Sequence, residues 1–160
     1  MQQDKISLDE LFMSVAKLTS LRGSCKRLKV GAVITKDNHI VSSGYNGAVA
    51  GMSNCDEVGC MLEDGHCVRT IHAELNAIIQ CTSKSVDISG STIYTTHFPC
   101  VKCLTIIAQA DIKCIKYASD YRGQSEQVKG YSRQIIDKCG IKLEKVALST
   151  DHICDMLTSS

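Results

Sequence analysis

The sequence predicts an α/β domain: one β-sheet layered with helices. Three observations predict it. From Thr70 onward, helical periodicities alternate with short β-rich runs, as crossover connections within a sheet require. Ahead of them lie an amphipathic helical segment and a hairpin-like pair of β-rich runs. The chain has 160 residues, 44% hydrophobic and 22% charged, enough for one real core and too few for two. Residues 1–160 are therefore expected to form a single domain.

Each element has a local reason. Ser7-Leu8-Asp9-Glu10 has the form of a capping box, and Leu8, Leu11, Phe12, Val15, Leu18 and Leu21 follow at helical spacing, so a helix is expected from Leu8 to Leu21. Val30 to Thr35 and Ile40 to Ser43 are β-rich and are separated by Asp37-Asn38, a turn-forming pair. Gly44-Tyr45-Asn46-Gly47 ends the second run, and no clear periodicity follows until about Thr70. A loop of that length in a small domain needs a function or a fastener. Thr70 to Cys81 places Ile71, Leu75, Ile78 and Ile79 on one helical face, with His72 and Glu74 in the first turn. Strands are then expected at Ser91 to Thr96, Ile112 to Tyr117 and Ile141 to Leu148, and helices at Cys100 to Ala110 and Ser125 to Cys139.

Composition narrows the functional classes. Eighteen basic and seventeen acidic residues give a net charge of +1, which offers no general attraction to a polyanion, so no nucleic-acid partner is expected. No apolar run approaches the ~20 residues of a membrane span, and Met-Gln-Gln-Asp-Lys is not the start of a signal segment. A cytoplasmic protein is expected. Ten cysteines then point to metal ligation rather than disulfides, with Cys81, Cys114 and Cys139 read as small packed hydrophobes.

The chemistry is carried by His72-Ala73-Glu74 and Pro99-Cys100-Val101-Lys102-Cys103. Cys100 and Cys103 share a helix face, and a helix N-terminus favours their thiolates. Pro99 suits a helix start because its missing N–H is not needed there. His72 and Glu74 are about 200° apart around an ideal helix, so they can meet only beyond the helix end, where first-turn side chains lean. Two helix starts converging on one zinc is the geometry this implies. With His72, Cys100 and Cys103 as ligands, the fourth tetrahedral position stays open for a water that ionises near neutral pH. Glu74 is left off the metal as proton shuttle to the water, a ring nitrogen and a departing amine. This H-x-E with P-C-x-x-C is the described signature of zinc nucleobase deaminases. A structural zinc knuckle would explain the C-x-x-C alone, but not its conjunction with H-A-E.

A second, closed site is expected from Cys25, Cys55, Cys60 and Cys67, with His66 as an alternative ligand; it would fasten the long loop. The competing reading is a set of free loop cysteines.

Beyond these motifs the chain resembles the deoxycytidylate (dCMP) deaminases of the bacterial competence-operon and phage type. The resemblance runs from Leu21 to Tyr121 and is carried by Val30-Gly31-Ala32-Val33-Ile34, Gly44-Tyr45-Asn46-Gly47, Gly51-Met52-Ser53-Asn54-Cys55, Gly59-Cys60, the segment His66 to Ala77 and the segment Tyr94 to Cys103. It implies a three-layer α/β/α cytidine-deaminase-like fold with a mixed sheet of about five strands, and conversion of dCMP to dUMP for thymidylate supply. A homo-oligomer, favoured as a hexamer, is also implied, as are activation by dCTP, with Mg²⁺ as a candidate companion of the triphosphate, and inhibition by dTTP. Gly44, Tyr45, Asn46 and Gly47 are carried over as a nucleotide-binding motif; glycines allow close backbone approach and Asn can bond a sugar hydroxyl. Without the resemblance the same four residues read equally well as a strand-ending turn.

The residue that meets the substrate phosphate is not identified by spacing. Arg69, Lys102, Tyr121 and Arg122 are the candidates for phosphate or substrate contacts, and Lys26, Arg27 and Lys29 for an effector triphosphate. Deamination of dCTP differs from that of dCMP by a small pocket change. A tRNA adenosine deaminase would favour a basic surface that this chain lacks, and a non-catalytic nucleotide-binding regulator is disfavoured by the intact constellation.

Overall fold

The computed structural model describes residues 5–63, 66–121, 124–148 and 150–158. Helix α1 (Leu8–Ser20) opens the fold behind the expected capping box: the Ser7 hydroxyl accepts from Glu10 N–H, and the Glu10 carboxylate accepts from Ser7 N–H at 2.8 Å. Strands β1 (Gly31–Lys36) and β2 (His39–Tyr45) form the hairpin. Its turn residues Asp37 and Asn38 have φ of 51° and 62°, the left-handed pair that matches strand twist.

The expected loop is not featureless. It holds β3 (Gly47–Ala48), a short helix α2 (Cys55–Val58), and strands β4 (Leu62–Glu63), β5 (His66–Cys67) and β6 (Thr70–Ile71). β3 pairs with β6 and β4 with β5, so two miniature ladders fold the segment back on itself. Such two-residue strands carry too little periodicity to be read from sequence.

The rest alternates as expected: α3 (Ala73–Ser83), β7 (Thr92–His97), α4 (Val101–Gln109), β8 (Cys114–Ser119), α5 (Glu126–Lys138) and β9 (Lys142–Lys145). A final helix α6 (Thr150–Thr158) follows, which the sequence periodicity does not announce. The five long strands make one mixed sheet in the order β2-β1-β7-β8-β9, antiparallel from β2 to β7 and parallel from β7 to β9.

Alternation along the strands builds two cores. Val33 and Tyr94 face α1, where they join Phe12, Met13 and Ala16. Ala32, Ile34, Ile93 and Ile115 face the opposite way, toward Ala77, Ile78, Leu104, Ile107 and Ile136 of α3, α4 and α5. The architecture is therefore α/β/α. Lys116 of β8 bonds both Asp9 carboxylate oxygens at 2.8 Å, and Tyr94 O–H donates to Asp9 at 2.7 Å, tying α1 to the sheet.

Packing decides the buried face of α1 and corrects one cysteine expectation. The α1 leucines do not form its core face: Leu18 is 66% exposed and Leu8 44%, while Ala16 and Ser20 are buried completely. Gly31 is the reason. A Cβ there would lie 2.0 Å from Ala16 O, so α1 approaches β1 closely at Ala16 and Ser20, buries Phe12 and Met13 beside them, and leaves the leucine stripe outside. Cys81 is buried as expected, but Cys139 caps the end of α5 and is exposed.

Candidate active site and metal centres

The site lies where β7 and β8 end and β1 begins, the end of the sheet at which α3 and α4 start. Strand carboxyl ends and helix N-termini meet there, the usual place for a ligand in an open α/β sheet. His72 is the N-cap of α3, with extended backbone, rather than a residue of its first turn. Cys100 is likewise the N-cap of α4, and Pro99 stands one residue outside the helix and is fully buried. The angular separation expected between His72 and Glu74 therefore does not apply, because a cap residue is free of helical geometry.

The structure brings His72, Cys100 and Cys103 together with their ligand atoms within 4.8 Å of one another. His72 Nδ1 is 3.5 Å from Cys100 Sγ and 3.4 Å from Cys103 Sγ. A tetrahedral zinc with Zn–S of about 2.3 Å and Zn–N of about 2.0 Å needs an N···S edge of about 3.5 Å, so these three residues fit the ion. The hydrogen bond from Cys103 is the chief reason the Cys100 thiol is held down at about 4. Cys103, deeper and beside Glu74, is pushed up, first by that same bond and then by burial. The bond to Cys100 in turn raises the His72 imidazole. Two thiols and an imidazole within hydrogen-bond reach of one another are a donor set that a cation would bind as the protons leave.

Glu74, on the first turn of α3, is 4% exposed, and its Oε2 has no hydrogen-bond partner among the described residues. Burial pushes its carboxyl up. An orphaned carboxylate oxygen beside a ligand trio calls for a partner that enters from the cavity.

That cavity holds about 570 Å³ and is lined by His72, Ala73, Glu74 and Cys100 at one end. Of the sequence candidates, Asn46 and Tyr121 line it. Lys102 is exposed outside the lining, and Arg69 donates to Ser53 O at 3.3 Å, bracing the loop. Arg122 lies outside the described residues. Arg27, a sequence candidate for an effector triphosphate, also lines this cavity, as do His97, Phe98, Ser119 and Asp120. Ser119 and Asp120 belong to no motif that sequence alone singles out, and His97 and Phe98 lie in the segment Tyr94 to Cys103 without being distinguished within it. Their signal is their place, at the ends of β7 and β8, which is visible only once the sheet order is known.

Gly44-Tyr45-Asn46-Gly47 is divided. Asn46 is buried; its amide donates to Leu28 O at 2.7 Å and accepts from Val30 N–H at 2.8 Å, which shapes one cavity wall. Tyr45 and Gly47 line a separate cavity of about 740 Å³ with Asn76, Ile79 and Lys84. Gly44 packs directly against α3.

In the loop, Cys55, Cys60 and Cys67 also place their sulfurs within 4.8 Å of one another, and Cys55 Sγ is 3.6 Å from Cys67 Sγ. The two thiols diverge: burial and the bond to Cys67 push Cys55 up to about 12. At Cys67, burial acts upward, but donation from the Arg69 backbone and Cys55 outweighs it and brings the thiol to about 7. Cys25 is buried and lines the main cavity with Cys67, outside the trio. The side chain of His66 lies outside the described residues.

Comparison with known proteins agrees with this geometry. Residues 6–119 match the family model of the cytidine and deoxycytidylate deaminase zinc-binding region. The chain is 42% identical over 145 residues to ComE operon protein 2 of Bacillus subtilis (strain 168), covering 91% of this chain and 74% of that protein. It is 35% identical to the deoxycytidylate deaminase of Mycobacterium phage D29, covering 70% and 94% respectively. Among solved structures, the dCMP deaminase of cyanophage S-TIM5 in complex with dCMP and dUMP superposes with a TM-score of 0.75 at 34% identity, over 90% of this chain and 100% of that one.

Proposed function

We propose, from the premise that this chain belongs to the cytidine and deoxycytidylate deaminase zinc-binding family, that it hydrolyses dCMP to dUMP and ammonia. The observation that carries the reading is the convergence of His72, Cys100 and Cys103 at a cavity where the Glu74 carboxylate is buried and unpartnered. Zinc held by those three residues supplies the Lewis acid that makes water a nucleophile at neutral pH. Glu74 takes one proton from the water and passes it to the ring nitrogen of the cytosine, then takes the second from the new C4 hydroxyl and gives it to the amine, which leaves as ammonia while the C4 carbonyl forms. Burial of Glu74 excludes bulk water from these transfers. The walls formed by Asn46, Phe98 and Tyr121 orient the nucleoside, with Tyr121 the sequence candidate among them.

Three further parts belong to the same reading. A second zinc held by Cys55, Cys60 and Cys67 is supported by their spacing, with Cys25 the candidate fourth ligand, and would fasten the loop. The cavity beside Tyr45 and Gly47 is our candidate for the dCTP and dTTP site, with Mg²⁺ carried by the triphosphate; Asn76 of α3 donates to Tyr45 O at 3.0 Å and so couples it to the catalytic helix. A homo-oligomer, a hexamer in preference, is supported by the leucine stripe that α1 leaves outside. We assign the activity to the cytoplasm, or to the host cytoplasm for a phage-encoded chain, where ten thiols stay reduced. No described helix is long and apolar enough to cross a membrane.

The test is ammonia release by zinc-loaded protein from dCMP, dCTP, deoxycytidine and cytidine monophosphate, each with and without added dCTP or dTTP. Preferential turnover of dCMP, raised by dCTP and lowered by dTTP, is the expected result. Zinc-loaded protein inert toward every cytosine nucleotide would overturn the reading.

A further inference from the structure

We propose that His97 is a substrate-positioning residue that holds an oxygen of the nucleotide 5′-phosphate through its Nε2–H. The proposal rests on dCMP being the substrate and adds a residue that neither zinc motif contains.

The tautomer follows from the hydrogen bonds around the ring. Thr96 is 3% exposed, and its hydroxyl accepts from Gly31 N–H at 3.2 Å. A buried hydroxyl must also place its own proton. His97 Nδ1, 3.1 Å from Thr96 Oγ1, takes it. With Nδ1 an acceptor, the ring proton of a neutral imidazole sits on Nε2, which becomes a fixed donor. Burial lowers the basicity of the ring, which favours its neutral form.

The position follows from the sheet. His97 ends β7, where its partner on β8 is Ser119, also on the cavity wall. β1 is antiparallel to β7 with Ala32 opposite Thr95, so the chain just ahead of β1 runs alongside His97. That stretch carries Arg27, Leu28 and Val30, all lining the same cavity. A guanidinium and a neutral N–H donor on neighbouring segments suit a phosphate oxygen better than a base edge. The wall has two carboxylates, Glu74 and Asp120, and Asp120 is ion-paired with Lys145 at 2.5 Å, which offsets part of its charge.

The experiment measures steady-state kinetics of zinc-loaded wild-type protein and of His97→Ala, His97→Asn and His97→Gln, with dCMP and with deoxycytidine. The Gln amide N–H reaches the Nε2 position and the Asn amide does not, so these variants separate the donor from packing. The expected result is a KM for dCMP about tenfold higher in Ala and Asn, kcat little changed, deoxycytidine turnover unaffected, and recovery in Gln. An equal loss on both substrates, a loss confined to kcat, or a Gln variant no better than Asn overturns the proposal. Failure of wild-type protein to turn over dCMP would instead overturn the substrate reading, and that result is read before any variant is made.

Discussion

Gly44 of β2 and Ala73 of α3 touch so closely that a Cβ on Gly44 would lie 2.3 Å from Ala73 O, and 2.5 Å from Ala77 N. The helix that carries Glu74 behind its His72 cap is thus seated on a glycine, with His72 and Glu74 on either side of the contact. Gly44→Ala must push α3 away from the sheet, because the obstacle is backbone. The expected outcome is a loss of about 1–3 kcal/mol or more in denaturant unfolding, with weakened catalytic zinc binding. Gly130 is the control, since it lies in α5 and a Cβ added there would meet nothing within 4 Å. Gly130→Ala should gain about 0.5–1 kcal/mol.

Glu74→Gln keeps size and polarity but cannot carry a proton. Metal analysis of this variant should match the wild type, while ammonia release falls by at least ~100-fold. Full activity would remove Glu74 from the proton path.

Two zinc ions per chain are expected in fully loaded protein. Cys103→Ser should remove one of them together with all activity. Cys55→Ser should remove the other, lower the thermal midpoint and expose residues 49–70 to protease, because the short ladders there have little core of their own. A wild-type stoichiometry of one would rule out the loop site.

Acid stability should depend on Asp9. Burial alone would raise its carboxyl, but hydrogen bonds from Lys116 and Tyr94 outweigh that and hold it below its ordinary 3.8. A depressed folded value means the unfolded chain binds the proton more readily, so the contribution is present above the unfolded pKa and is lost as pH falls below about 4. Asp9 is 38% exposed on its side chain, which limits the effect to under about 1 kcal/mol. Asp9→Asn should lower stability at pH 7 and flatten the acid limb of urea midpoints; an unchanged limb would show that the network contributes nothing through charge.

From sequence alone, His72, Glu74, Cys100 and Cys103 stood out because ligand chemistry restricts residue type and spacing, and the α1 cap, the Asp37-Asn38 turn and the alternating elements were legible because each is decided within a few residues. The family followed from the same local patterns. Tertiary structure alone decided which face of α1 is buried, since that depends on the approach of Gly31 to Ala16, and it alone placed Arg27 on the wall of the cavity that His72 and Glu74 line. It also divided Tyr45 and Gly47 from Asn46 and brought His97 beside the start of β1. These are relations between segments distant in the chain, and they depend on strand order and register, which no local pattern encodes.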